Sequence, residues 1–216
     1  MSSAPRGRLV TLEGGEGAGK STQARKLVEW LGERGVAAEL TREPGGSPGA
    51  EEIRALLVTG EPGRWDPLSE LLLHYAARRD HMVRSILPAL EAGRWVVCDR
   101  FIDSTLAYQG YGLGVSLEAI TAVRKAVLGD FAPDLTLILD VEPETGRVRT
   151  ASRTGGEDRY ERMGAAFHAR VRDGFRRIAA AEPGRCVTIS AARSVEEVGA
   201  TIVAAVEARF GPQLRG

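Results

Sequence analysis

The chain has 216 residues, of which 43% are apolar, with 29 basic and 29 acidic side chains. That length suits one domain over residues 1–216, with room for a lid insertion. A formal net charge of zero excludes a global field that would recruit nucleic acid or an anionic membrane, so any anion chemistry has to be local.

The first element decides the most. Leu9–Leu12 is a short apolar run. It turns through Gly14, Gly15, Gly17 and Gly19 to Lys20-Ser21-Thr22, and a segment with apolar Ala24, Leu27, Val28 and Leu31 follows. Strand, glycine-rich loop and helix, with Gly14-x-x-x-x-Gly19-Lys20-Ser21, fit the phosphate-binding loop pattern. Such a loop turns backbone N–H groups inward around phosphate oxygens, and the new helix adds unpaired donors and a positive dipole end. Lys20 brings a mobile charge to the outer phosphates and the Ser21 hydroxyl suits Mg²⁺. Lys20 is one of only three lysines against 26 arginines, so composition does not account for its placement.

Further along, Gly35 predicts a helix stop and Val36–Leu40 a second strand. Arg42–Gly49 reads as a loop, Glu51–Val58 as a helix, and Gly60–Gly63 as a turn. Leu68, Leu71, Leu72, Tyr75, Met82, Val83, Ile86 and Leu90 mark one long helix, with Pro88 kinking its end. Trp95–Cys98 is an apolar run of the kind buried on both faces of a parallel sheet. Ser116 N-caps a helix through Leu117, Ile120, Val123 and Val127, and Leu135–Leu139 is the fourth strand. The polar stretch Glu142–Arg162 carries five arginines and the pair Gly155-Gly156. A helix through Phe167, Val171, Phe175 and Ile178 leads to the strand Cys186–Ile189. The last helix opens on the capping box Ser194-x-x-Glu197. Five strands alternating with helices predict an α/β fold, a doubly wound parallel sheet flanked by helices, with ligands beyond the C-terminal strand ends.

Those strand ends run into polar residues: Glu16, Arg42-Glu43, Asp99-Arg100 and Asp140. Asp99 is either an ordinary strand-terminating residue or a Mg²⁺ ligand beside the phosphate loop. Arg100 either grips a second phosphate or forms a surface ion pair. Cys98 and Cys186 lie in apolar runs without metal-ligand spacing, as buried thiols in a reducing compartment do. No signal segment opens the chain and no later run reaches membrane-spanning length, so a cytoplasmic protein with no membrane partner is expected.

The ordered set EGGEGAGKST, TREPGG, YAAR (Tyr75–Arg78), CDRF followed by STLAYQG, and EDRYE (Glu157–Glu161) resembles the bacterial thymidylate kinase (dTMP kinase) family. The likeness runs from about Leu9 to Val206. It implies a P-loop NTPase fold with a small lid at about 142–162, closing over ATP, and transfer of the ATP γ-phosphoryl group to dTMP. By that resemblance Gly14, Gly15, Glu16, Gly17, Ala18, Gly19, Lys20, Ser21, Thr22 and Arg149 bind ATP, and Ser21 and Asp99 hold Mg²⁺. Glu16, Arg42, His74, Arg78, Arg100, Thr105, Tyr108 and Gln109 bind dTMP. Lys20, Arg100, Glu16 and Arg153 form the expected catalytic set. The phosphate loop has no arginine at the Glu16 position, which resembles the subtype whose catalytic arginine comes from the lid; Arg153 is the first choice and Arg149 the second. The alternative is that lid arginines merely solvate an exposed helix.

His74 stands where the family usually stacks a phenylalanine on thymine, and Thr105 replaces an asparagine in a chain that has none. His81 is expected on the helix surface or in a structural role. Homodimers through helices beside the sheet are also implied, and the apolar stripe of Leu68–Leu90 permits them. Whether Glu161 reaches a metal-bound water stays open. Two rivals remain, a P-loop kinase for another monophosphate or small acceptor and an NTP-hydrolysing switch. The guanine-reading Asn-Lys-x-Asp of GTPase switches is impossible without asparagine.

Overall fold

Five parallel strands form the centre of this computed structural model, which describes residues 6–150 and 158–214. They are β1 (Leu9–Gly14), β2 (Ala38–Arg42), β3 (Trp95–Asp99), β4 (Leu135–Asp140) and β5 (Cys186–Ser190), in the order β2-β3-β1-β4-β5. β1 is buried along its whole length because both neighbours and both faces are covered, whereas β2 is an edge strand with Leu40 half exposed. The chain fills β2 and β3 on one side of β1 and then crosses from β3 to β4 and β5 on the other, so a crevice opens beyond the C-terminal end of β1.

Alternation along the strands divides the core. Val10, Leu12, Val97 and Leu137 face α1 (Lys20–Glu33) and α9 (Val195–Phe210), where Leu27, Leu31, Val206 and Phe210 close the layer. Leu9, Val96 and Cys98 face α3 (Pro67–His81), α4 (Leu87–Glu91) and α6 (Leu117–Leu128). Ile138 packs on α8 (Ala165–Ala181). Cys98 and Cys186 are unpaired and buried. Among the described residues no helix is long and apolar enough to cross a membrane.

Local signals hold where the chemistry is local. Ser116 accepts from the Ala119 N–H, and Ser194 and Glu197 form the reciprocal capping box. Gly35, at φ +74°, closes α1, with the Val36 N–H reaching back to the Leu31 carbonyl at 3.0 Å. That closure consumes Val36, so the second strand begins two residues later than expected, with Ala38 opposite Trp95. The long helix runs from Pro67 to Glu91, and its irregularity falls before Pro88, as a π-helical stretch over Met82–Ile86. Widening the turn accommodates the missing proline N–H without breaking the rod.

Two elements carried no periodic signal. After β3 the chain makes α5 (Ile102–Thr105), which continues as a π-helical Leu106–Gly112. Nearly every residue in it is buried, polar ones included, so there is no solvent face to generate an amphipathic pattern. The polar stretch Glu142–Arg162 opens on a second such element, α7 (Pro143–Thr150), where the expected lid begins; the helix expected over Glu51–Val58 is α2 (Pro48–Val58).

Candidate active site

The ends of β1, β2 and β3, with α3 and α5, enclose a cavity of about 630 Å³. Glu16, Arg42, His74, Arg78, Arg100, Thr105, Tyr108 and Gln109 all line it, and so do Gly17, Gly19, Lys20, Ser21 and Asp99 of the phosphate-loop side. Asp140, the fourth strand end, does not; it forms ion pairs with Arg172 and Arg176 of α8 instead.

Arg100 is the hub. It leaves β3 at φ +71°, the one described non-glycine residue in the left-handed region, with its N–H held by the Leu12 carbonyl at 2.9 Å. Its guanidinium donates to Gly14 O at 2.9 Å, Glu16 Oε1 at 2.8 Å, Ser104 Oγ at 3.1 Å and the Tyr108 hydroxyl at 3.0 Å. Tyr108 in turn donates to Glu16 Oε1 at 2.8 Å. Burial pushes the Glu16 carboxyl up, but Arg100 and Lys20 outweigh it and hold the group at about 2. Burial, then Arg100, pulls Lys20 down to about 8. Lys20 Nζ rests on the Gly15 carbonyl at 2.8 Å.

Beneath Arg100 lies Glu13, fully buried on β1. It accepts from the N–H groups of Phe101 at 2.8 Å and Ser104 at 3.2 Å, and from Ser104 Oγ at 2.5 Å, so it fixes the first turn of α5. Burial, reinforced by the neighbouring Asp103, raises its pKa from 4.5 to about 7.

The far wall is a buried polar network. Arg78, only 2% exposed, donates to Glu43 at 2.6 Å, Thr105 Oγ1 at 2.8 Å and Phe101 O at 2.9 Å. His74 Nε2 lies 2.8 Å from the Tyr160 hydroxyl. His81 is buried between Thr41 and Glu43, so of its two expected roles the structural one holds. Arg42 bonds Pro44 O and Glu51 at the cavity rim.

On the phosphate-loop side, Gly17 and Gly146 of α7 meet backbone to backbone; a Cβ on either would collide with the other segment's backbone. Arg149 donates to the Ala191 carbonyl at 3.0 Å, beside the loop but outside the cavity lining. Gly14, Gly15, Ala18 and Thr22 are likewise outside that lining: Gly14 O holds Arg100, Gly15 O holds Lys20, Ala18 is core, and Thr22 is exposed. Arg153 lies outside the described residues. Ser21 Oγ donates to Asp99 Oδ2 at 2.5 Å, bringing two hard oxygen donors together next to Lys20. Among the described residues no cluster of three or more His, Cys, Asp or Glu could hold a metal. Two protein oxygens beside a phosphate cradle fit Mg²⁺, which takes few protein ligands and completes its shell with phosphate and water.

Residues 12–202 match the family model described as thymidylate kinase. The chain is 52% identical over 205 residues to the thymidylate kinase of Caulobacter vibrioides, covering 95% of this chain and 98% of that one. It is 51% identical to that of Rhizorhabdus wittichii, covering 93% and 97%. The crystal structure of thymidylate kinase from Ehrlichia chaffeensis superposes with a TM-score of 0.76 at 39% identity, over 94% of this chain and 99% of that one. The chain belongs to the thymidylate kinase family.

Within that family framework the cleft holds more than the strand ends foretold. Arg54, Ser104, Asp158, Tyr160 and Glu161 also line it, beside the strand-end Glu43. Tyr160 and its neighbours sit in the EDRYE segment, a specific string with no element periodicity to show where it folds back. Glu13 was hidden by its position inside a strand, where a lone carboxylate reads as sheet alternation.

A carboxyl raised from 4.5 to about 7 on folding contributes stability that is fully present below 4.5 and lost as pH rises through the folded value. Glu13→Gln keeps an acceptor oxygen and removes the charge. Denaturant unfolding at about pH 5 and about pH 8 is expected to show the variant gaining on the parent by on the order of 3 kcal/mol across that interval. A pH-independent difference would contradict it.

Proposed function

We propose that the cleft transfers the γ-phosphoryl group of ATP to the phosphate of dTMP, giving ADP and dTDP. The observation that carries this reading is that all eight side chains expected around the acceptor line one cavity, which also reaches Lys20 and Ser21. Membership of the thymidylate kinase family supports the same reaction.

The acceptor phosphate oxygen is anionic at neutral pH and needs no general base. What the reaction needs is two polyanions brought into line with their repulsion screened. Glu16, held at about 2, is a poor proton acceptor at neutral pH, so its part is to aim Arg100 at the dTMP phosphate, with Arg42 beside it. Tyr108, bonded to both, crowds the sugar. Backbone N–H groups of Gly15–Ser21 receive the ATP phosphates, and Lys20 exchanges the Gly15 carbonyl for a phosphate oxygen. Ser21 and Asp99 would hold Mg²⁺, which would supply positive charge to screen the phosphates. Arg153 of the lid, with Arg149 as second choice, stabilises the transferring group, and the closed lid excludes water.

We also assign the chain to the cytoplasm, which suits its two unpaired thiols, and to a homodimer. Leu68, Leu72, Ala76 and Val83 are exposed along one face of the long helix, and Leu117 of α6 is exposed as well. A second copy presenting the same stripe would cover that apolar face.

A coupled assay of ATP with dTMP, dUMP, UMP and dCMP is expected to give the highest kcat/KM with dTMP; a preference for UMP would sink the substrate assignment. In the same assay Lys20→Ala should cost on the order of a thousandfold in kcat without loss of fold. Arg153→Ala should lower kcat by on the order of a thousandfold. A loss of only a few-fold would move that role to Arg149. Leu72→Glu is expected to sediment as a monomer, and a variant that stayed dimeric would exclude this stripe as the interface.

A further inference from the structure

His74 has surroundings that give it more than a stacking face. The Tyr160 hydroxyl carries one proton, and the Glu70 carboxylate, an acceptor only, lies 2.7 Å from it. Glu70 is also ion-paired with Arg159 and receives Gln109 Nε2 at 2.9 Å. The tyrosine proton is therefore committed to Glu70, and the tyrosine oxygen faces His74 Nε2 as an acceptor at 2.8 Å. His74 must donate from Nε2.

Burial, then the charges of Arg78, Arg159 and Arg100, hold the imidazole pKa at about 3, so the ring is neutral. A neutral ring protonated on Nε2 keeps a lone pair on Nδ1. No described residue bonds that atom, yet the one buried side-chain N or O without a partner among the described residues is Gln23 Oε1. Nδ1 is therefore open, and the cavity is what His74 lines. Arg78, one helical turn further on, has five N–H groups and spends three on Glu43, Thr105 and Phe101. The wall thus offers an acceptor and spare donors together.

We propose that His74 reads the acceptor base by hydrogen bonding, its Nδ1 accepting the imide N–H of a 2,4-dioxopyrimidine, and that Tyr160 and Glu70 are positioning residues that fix the tautomer. Cytosine presents a lone pair at the same ring nitrogen and is repelled. Tyr160 directly follows Arg159, whose backbone N–H and guanidinium bond the Val58 and Leu57 carbonyls at the end of α2. Docking of the C-terminal end of the expected lid therefore sets the donor–acceptor pattern of the base wall. The substrate part of this inference rests on the dTMP reading above; the tautomer does not.

NMR of the ¹⁵N-histidine-labelled full chain, without ligands, tests the tautomer alone. His74 is expected neutral and protonated on Nε2 at neutral pH, still neutral at about pH 5. An Nδ1–H tautomer or an imidazolium would overturn it. Kinetics test the base reading. His74→Phe keeps a stacking face and removes the acceptor, and is expected to raise the KM for dTMP about tenfold. It should shrink discrimination against N3-methyl-dTMP by a similar factor. Tyr160→Phe should mix the tautomers and raise the dTMP KM about threefold with the ATP KM unchanged, and add nothing in the His74→Phe background. An unchanged or lower dTMP KM in His74→Phe, with discrimination intact, would show stacking alone and overturn the base reading. A wild-type chain inactive on dTMP but carrying the Nε2–H tautomer would sink the functional reading and uphold the tautomer.

Discussion

Arg100 leaves β3 in a left-handed conformation that costs a non-glycine residue on the order of 1 kcal/mol, and the cost is met by what its side chain reaches. The guanidinium spans the phosphate loop through Gly14 and Glu16 and the acceptor wall through Ser104 and Tyr108. Removing one partner from a fully buried ion pair costs about 3–5 kcal/mol, and this part-buried pair is expected to cost less; loop and wall are still fastened at one point. Both halves of the cleft take their positions from it. Within reach of the same site, a dTMP phosphate would enter as a competitor for a charge already paired.

Two carboxyls three residues apart illustrate how environment assigns role. Glu16 meets Arg100 and Lys20 and stays ionised far below neutrality. Glu13 is desolvated by burial beside Asp103 and rises to about 7. The first orients a cation that lines the cleft. The second anchors α5, the element carrying Thr105, Tyr108 and Gln109, from below. Their residue type is the same; desolvation against pairing separates them.

The stretch between α7 and α8 is secured on both sides of the residues that carry Arg153. On one side Gly146 lies against the phosphate loop with no side chain between the backbones. On the other, buried Arg159 is tied to Glu70 and to carbonyls of α2. The two roots are thereby fixed against the phosphate loop and α2, the anchorage that the proposed lid would use. The second root also carries Tyr160 into the cleft, so the proposed donor and acceptor sites share one piece of chain.

The sequence by itself determined whatever depends on neighbours along the chain. Glycines before Lys20, the cap at Ser116, the box at Ser194 and Glu197, and the buried runs of β1, β3 and β4 are local in origin, and they suffice for an α/β sheet with a phosphate loop. Motif order carried the family and, through it, the residues expected around the acceptor. Tertiary structure alone decided what depends on burial and on contacts distant in sequence. Helix α5 was illegible because it is enclosed on all sides and so has no polar face. Glu70 and Arg159 read as ordinary charges until folding brought residues 89 apart into one buried pair. The tautomer of His74 belongs to the same class: a proton's place follows from which acceptor sits next to which donor, and only the folded chain arranges that.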